Sequence, residues 1–499
     1  MVLDGKLCAA CTEDIELEQE ITQLEQGITQ LEVEITEFET RMEKIHIRRR
    51  TLRTVMNENH DPLIHQFPPE IASHIFLLYS PPSARFDIDE SPIYLGAVCQ
   101  KWRQLAWATP ELWTSLHVRC PRSGKYNYKY NRKLNDHLPR PRLVTEWLER
   151  SGSLPLTIRV DDYWGWAASN INEEVLHILA MHSARWHDMH FEVSARHLHC
   201  LSGSSEGNIL RRLALCHFGY FDRPFEFSIF SMKSKPSPTD LTLNGIGLQY
   251  VDIAWNNLTV ASVYNIGVDE CLELIRRAPL LETLKLGLIN PSSSVFPIPS
   301  TRVIHLHLHL LELWKIEEEI LPRILDSLWL PSLEQWIQCN QTPVLIDNVI
   351  SFVECLSSGL KIFKIGIHLH CYEIAWLLLY LPSLEFLELR TTHGDLPIDL
   401  FNKLCANTQY PPFLPHLQTL EFLCEFKFPW EFLPRIFALS CWKGLRVKVN
   451  IRNGNLYSDE EVVKLLLELV DKGFDLSIIE NGETDLLQEY RKYMVFADE

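Results

Sequence analysis

The chain has 499 residues, a net charge of −18 at pH 7 and an apolar fraction of 46 %. That length allows more than one domain, and that apolar share supports a sizeable core. The acidic balance argues against duplex nucleic acid as the main partner, because neutralising phosphates takes clustered Lys and Arg.

The 13 Cys are odd in number and follow no framework spacing, which fits a reducing compartment. The start MVLDGKLCAACTED lacks the basic region and apolar run of a signal peptide. The longest apolar phrase, IAWLLLYLP, is too short to cross a bilayer. A soluble, cytoplasmic or nuclear protein with no membrane partner is expected.

From Ile21 the apolar residues keep a seven-residue rhythm: Ile21, Leu24, Ile28, Leu31, Ile35, Phe38, Met42 and Ile45. This predicts a long helix over residues 1–60 with a coiled-coil seam, Ile mostly at a and Leu or Phe mostly at d. Such a seam favours two parallel strands, but Glu20 would then face Glu25 of a twin, and Glu34 would face Glu39. The helix is acidic early and carries Arg48, Arg49, Arg50 and Arg53 late, so an antiparallel or heterologous pairing suits its charges better. Self-association and a single long helix leaning on the chain both fit this pattern. Asn57 to Pro62 breaks the rhythm and works as a linker.

Phe67 to Trp113 then reads FPPEIASHIFLLYSPP, a polar loop, and SPIYLGAVCQKWRQLAWATPELWTSL. Pro68 and Pro69 can open a helix, and Glu70 suits its positive start. Ile71, Ile75 and Leu78 form one apolar stripe, and Ala72, Phe76 and Tyr79 form a second beside it. A second helix is expected from Ser91 as cap and Pro92 as first residue, with Leu95, Val98, Cys99, Trp102, Leu105 and Ala106 on one side. Thr109-Pro110-Glu111 announces a third, short helix carrying Leu112 and Trp113. Three helices of this size have little core of their own, and each large apolar side chain left exposed forgoes roughly 1.5–3 kcal/mol.

These residues resemble the F-box, whose pattern is Leu-Pro-x-Glu-Ile, then Ile-Phe, then Val-Cys-x-x-Trp-Arg. The matching positions are Pro68, Glu70, Ile71, Ile75, Phe76, Val98, Cys99, Trp102 and Arg103, with Phe67 in place of the usual Leu and Ala72 where Leu is common. The resemblance implies docking onto the small adaptor of SCF-type ubiquitin ligases, which hangs from a cullin. Adaptor-binding residues would then come from Phe67, Pro68, Ile71, Ile75, Phe76, Val98, Cys99 and Trp102, the module spanning 62–118.

A basic, Tyr-rich loop follows over 119–142, and in an acidic chain a solvated surface segment is the better reading than a single-stranded nucleic-acid site. Over 143–450, helix-like segments such as GVDECLELIRRAP and PWEFLPRIFALS alternate with strand phrases of L-x-x-L-x-L type. Examples are NLTVASV, LLETLKLGL, RVIHLHLHL, GLKIFKIGI, SLEFLELR and HLQTLEFL. The alternation resembles degenerate leucine-rich repeats, an α/β solenoid in which only stacking buries each strand's apolar face. A non-repetitive α/β domain is the alternative. SDEEVVKLLLELVDKG, within 451–499, reads as a capped amphipathic helix closing the stack.

In each L-x-L strand the middle residue points away from the core, which predicts Lys285, His307, Lys364, Glu388 and Glu421 along one exposed face as target contacts. The row is mixed in sign and suits a protein partner.

Motifs for catalysis, metals or cofactors are weak. Cys8-Ala-Ala-Cys11 has no matching second pair, and His305, His307 and His309 on one strand face would splay outwards. Asp161 and Asp162 would point to opposite faces. The Gly245-Ile246-Gly247 run lacks the third glycine and the strand–turn–helix context of a dinucleotide site. The expected reading is a non-catalytic substrate receptor for ubiquitin-dependent degradation, without cofactor. The order coiled coil, F-box, repeats resembles F-box families of mushroom-forming fungi. A non-ligase coiled-coil and repeat scaffold is the alternative.

Overall fold

In the computed structural model the chain divides into two compact units, Met1–Thr114 with Arg150–Gly152, and Ser115–Glu149 with Ser153–Glu499. The described residues are 9–60, 63, 66–79, 92–120, 140–162, 171–203, 207–217, 228–293, 295–339, 346–356, 359–367, 374–391, 396, 398–406, 413–424, 428–451, 460–480 and 484–497.

The first unit opens with α1 (Ala9–His60), a single helix of 52 residues. Its predicted seam from Ile21 to Ile45 is exposed along its whole length. Thr22, Thr29 and Thr36 recur on one face, and each hydroxyl donates to the carbonyl four residues earlier, so these polar groups are satisfied inside the helix.

Three helices follow, α2 (Pro69–Tyr79), α3 (Pro92–Val98) and α4 (Gln100–Trp107), with a 3-10 turn at Pro110–Trp113. The helix expected to run unbroken from Pro92 to Ala106 is therefore two. The break falls at Cys99, which is extended (φ −155°, ψ 174°), and its Sγ caps the second helix by accepting from the Trp102 N–H at 3.4 Å. The kink also lets Arg103 Nε donate to the Gly96 carbonyl at 2.8 Å.

Among the described residues the second unit is built on seventeen strands. They are β1 (Ser115–Cys120), β2 (Leu156–Asp162), β3 (Trp186–Glu192), β4 (Arg212–Cys216), β5 (Asp240–Asn244), β6 (Val260–Tyr264), β7 (Thr283–Gly287), β8 (Val303–Ile304) and β9 (Leu310–Trp314). They continue with β10 (Leu328–Trp329), β11 (Gln335–Cys339), β12 (Ile362–Ile367), β13 (Phe386–Thr391), β14 (Thr419–Cys424), β15 (Arg446–Ile451), β16 (Leu476–Glu480) and β17 (Thr484–Asp485). Fifteen form one open sheet in strict chain order, while β8 and β10 pair separately. All neighbours in the large sheet are parallel except β17, which runs antiparallel to β16.

Parallel neighbours cannot be joined by tight hairpins, so each connection must cross over and return. Helices fill many of these crossovers, among them α5 (Pro141–Arg150), α6 (Glu173–Met181) and α7 (Val268–Arg277). Alternation sets the core: Leu241 and Leu243, Ala261 and Val263, Leu284 and Leu286, and Leu311 and Leu313 are buried on successive strands. They belong to one continuous apolar cluster running from Leu116 to Leu487.

Three local expectations change. The RVIHLHLHL phrase does not supply a strand of the large sheet; that strand is β9, just downstream. Of its leucines Leu308 is buried but Leu306 is 61 % exposed, and the His305 Nε2–H instead donates to the Ala278 carbonyl at 2.9 Å in the interior. His307 and His309 are exposed in an irregular segment, so the three histidines share no strand face. The sheet also starts earlier than the first expected repeat, at Ser115. At the other end, the helix Glu460–Asp471 is one more crossover, since β16 continues the sheet after it and the helix Leu486–Ala497 comes last.

Candidate functional site

In the first unit, packing decides which apolar stripe of α2 is left over. Ala72 and Phe76 are buried, the Phe76 ring lying 4.8 Å from that of Trp102. Trp113 is buried as well, and its Nε1–H donates to the Ala106 carbonyl at 2.8 Å. The other stripe stays at the surface: Ile71 is 48 %, Ile75 37 % and Leu78 70 % exposed. Phe67, Pro68 and Val98 are also exposed, and Trp102 is half-buried. Of the residues expected at the adaptor interface, Phe76 and Cys99 thus belong to the module's own core, and the others keep surface to offer. The Ser91 cap lies outside the described residues.

In the second unit, strand register sets a single row across the sheet. Lys285 aligns with Glu312, Glu312 with Ile337, Ile337 with Lys364, Lys364 with Glu388, Glu388 with Glu421, and Glu421 with Lys448. Four of the five residues expected in this row are therefore in it. His307 is not; the place assigned to it is taken by Glu312, from the Leu-Glu-Leu phrase three residues beyond the histidines. Lys285, Lys364 and Glu421 are half-buried and Glu388 is buried, not exposed as expected, because the neighbouring Lys364 and Arg390 side chains pack over it.

The row neutralises itself. Lys285 Nζ lies 3.1 Å from Glu312, and Lys364 Nζ lies 2.9 Å from Glu388, which also pairs with Arg390. Burial pushes the Glu388 carboxyl up, but the hydrogen bonds from Arg390 and Lys364 more than offset it and hold the group below its ordinary value. Toward the other end the same row carries His117, Arg159 and His190 in register.

Asp161, one step along, accepts from His117 Nε2 at 2.7 Å and from Arg159 Nε at 2.8 Å. Its carboxyl is raised by burial, yet those two partners bring it below the ordinary range. Asp162 points into the core, so the two carboxylates do not cooperate.

Two groups could hold a metal ion among the described residues: Asp161, His190 and Glu192, and separately Glu173, His197 and Cys200. Neither was visible as a motif, because each draws on two segments that only the fold brings together. The Cys8/Cys11 pair lies outside the described side chains, and most of the basic loop, residues 121–139, lies outside the described residues. No described helix is long and apolar enough to cross a membrane.

Compared with protein-family models and with curated proteins, the sequence matches none.

Proposed function

We propose that the chain is the substrate-recognition subunit of an SCF-type ubiquitin ligase. On this reading α2–α4 form an F-box that docks the adaptor, and the sheet unit is a leucine-rich-repeat-like array that holds a target protein. The observation that carries the reading is the Ile71, Ile75 and Leu78 stripe, 37–70 % exposed beside a core already closed by Phe76, Leu95 and Trp113. That stripe lies in the stretch whose residues resemble the F-box.

The array's outward row carries charges of both signs, suited to a protein surface, and α1 offers its exposed seam to a second copy or another helix. The chain contributes no reacting group; it raises the effective concentration of a target near a charged ubiquitin carrier.

The test is calorimetric titration of the full chain with the F-box-binding adaptor, alongside Ile71→Asp/Ile75→Asp. The exposed fractions of these two side chains, 48 % and 37 %, scale the energy of burying an isoleucine to about 1.3–2.5 kcal/mol for the pair. Their loss weakens binding roughly 10–70-fold, and burying two unpaired carboxylates weakens it further. Because both positions are exposed, circular dichroism should be unchanged. A folded wild-type chain that does not bind the adaptor overturns the proposal and leaves a coiled-coil and repeat scaffold.

A further inference from the structure

The α6 crossover, between β2 and β3, and the 3-10 turn Ala195–Leu201, between β3 and β4, bring Glu173, His197 and Cys200 together. One ligand atom from each lies within 4.8 Å of the others. His197 and Cys200 are buried, whereas the Glu173 side chain is 58 % exposed. His197 Nδ1 is the telling atom. It is fully enclosed and makes no hydrogen bond, although Glu173 Oε1 stands only 3.2 Å away, because the approach lacks hydrogen-bond alignment.

His199 is exposed beside this set, outside the three residues whose ligand atoms lie within 4.8 Å of one another. Its Nδ1 faces the Arg196 carbonyl at 2.8 Å, and a carbonyl only accepts, so Nδ1 carries the proton and Nε2 keeps a lone pair. That Nε2 lies 3.5 Å from Cys200 Sγ. Tetrahedral zinc, with bonds of about 2.0–2.1 Å to nitrogen and oxygen and about 2.3 Å to sulfur, needs ligand edges of roughly 3.4 Å for N···O and 3.6 Å for N···S. The Glu173–His197 separation of 3.2 Å and the His199–Cys200 separation of 3.5 Å are near those edges, and a turn of the exposed His199 ring toward His197 and Glu173 closes the set.

We infer that Glu173, His197 and Cys200, with His199 turning in as the fourth ligand, form a structural site for a zinc-class divalent cation, which staples two successive crossovers of the sheet. With one carboxylate, one thiolate and two neutral imidazoles the bound ion carries no net charge, which suits the buried His197 and Cys200. Binding expels the Cys200 thiol proton. It also moves the His197 proton from Nδ1 to Nε2, where Arg196 Nε now donates at 2.9 Å. Arg196 is exposed and can turn away. The Asp161 group is the weaker candidate, because both oxygens of Asp161 are already engaged, one of them by the permanent cation of Arg159.

The test uses the full chain carrying Cys8→Ser and Cys11→Ser, which removes the N-terminal thiol pair as a competing ligand set. Co²⁺ is titrated without oxygen, read by thiolate-to-cobalt charge transfer and visible ligand-field bands, and then displaced with Zn²⁺. The site predicts one ion per chain, loss of the charge-transfer band in Cys200→Ser, at least about tenfold weaker binding in Glu173→Gln, and no weakening in Arg196→Ala. Glu173 is largely exposed, so its variant keeps the fold and decides the matter even where Cys200→Ser unfolds. No thiolate band in the folded parent, a band retained in folded Cys200→Ser, or equal affinity in Glu173→Gln overturns the site.

Discussion

Asp269 offers a demanding test of how the sheet unit is held together. It is the second residue of α7 and is wholly buried. Its carboxylate accepts from the Ser293 N–H at 2.7 Å, the Ser293 hydroxyl at 2.8 Å, and the Val295 and Phe296 N–H groups at 3.0 Å each. One side chain therefore ties the loop after β7 to a helix start, where a negative charge is also favoured by the helix dipole. Hydrogen bonds to a charged group each contribute about 1.5–3 kcal/mol net. Ser293 and Val295 sit in an exposed loop and can rehydrate, so Asp269→Asn should cost about 2–4 kcal/mol at pH 7 rather than the full sum.

The pH dependence has a definite sign. Burial pushes the Asp269 carboxyl up, but the hydrogen bonds from Phe296 and Ser293 more than offset this and hold it below its ordinary value. The charged form thus adds stability above the unfolded-state value of about 3.9, and this is lost as pH falls through the lower folded-state value. Glu270 next to it responds in the opposite sense. Burial outweighs the hydrogen bonds from the Gly267 and Leu248 N–H groups, so its contribution grows as pH falls. The Asp269 charge is one cause of that rise, so Asp269→Asn partly relieves it and trims the gap at pH 7. Urea unfolding at pH 7 and pH 3, with hydrogen exchange over residues 266–296, should show a gap that closes in acid. Equal stability at pH 7, or a gap unchanged at pH 3, refutes the reasoning.

Two further predictions concern single features. Gly245 has φ +66°, and a Cβ there would stand 2.6 Å from the His217 carbonyl oxygen, so Gly245→Ala should lower stability by at least about 1–2 kcal/mol in urea melts. Leu24→Lys/Leu31→Lys places charge in the exposed seam of α1; sedimentation equilibrium should show the wild-type chain associating and the variant monomeric, with helicity unchanged. A wild-type chain that stays monomeric would rule out self-association through this seam.

The residue pattern revealed elements whose signal is local and hid those decided by distant contacts. The phrases around Leu284, Phe363, Leu387 and Leu420 announce strands because each alternates buried apolar residues with polar ones. β11 was harder to see, since its inward pair is Trp336 and Gln338, and a buried amide breaks the pattern. In HLHLHLLELW two L-x-L registers compete, and only pairing with β7 and β11 selects the second. The width of the apolar face on α2 follows from spacing. Which stripe remains exposed depends on Trp102 packing against Phe76, a contact between different helices. Likewise, Glu173 and Cys200 meet only because parallel pairing stacks one crossover on the next.

On the proposed reading the leftover stripe of α2 is the adaptor-docking face. Hydrogen–deuterium exchange of the full chain, alone and saturated with the F-box-binding adaptor, tests it most directly. New protection is expected over Pro69–Tyr79 and in the neighbouring helices Pro92–Trp107, with the strand row from Lys285 to Lys448 unchanged. Protection confined to that row, or none in the helices at saturating adaptor, would show that α2 does not dock the adaptor.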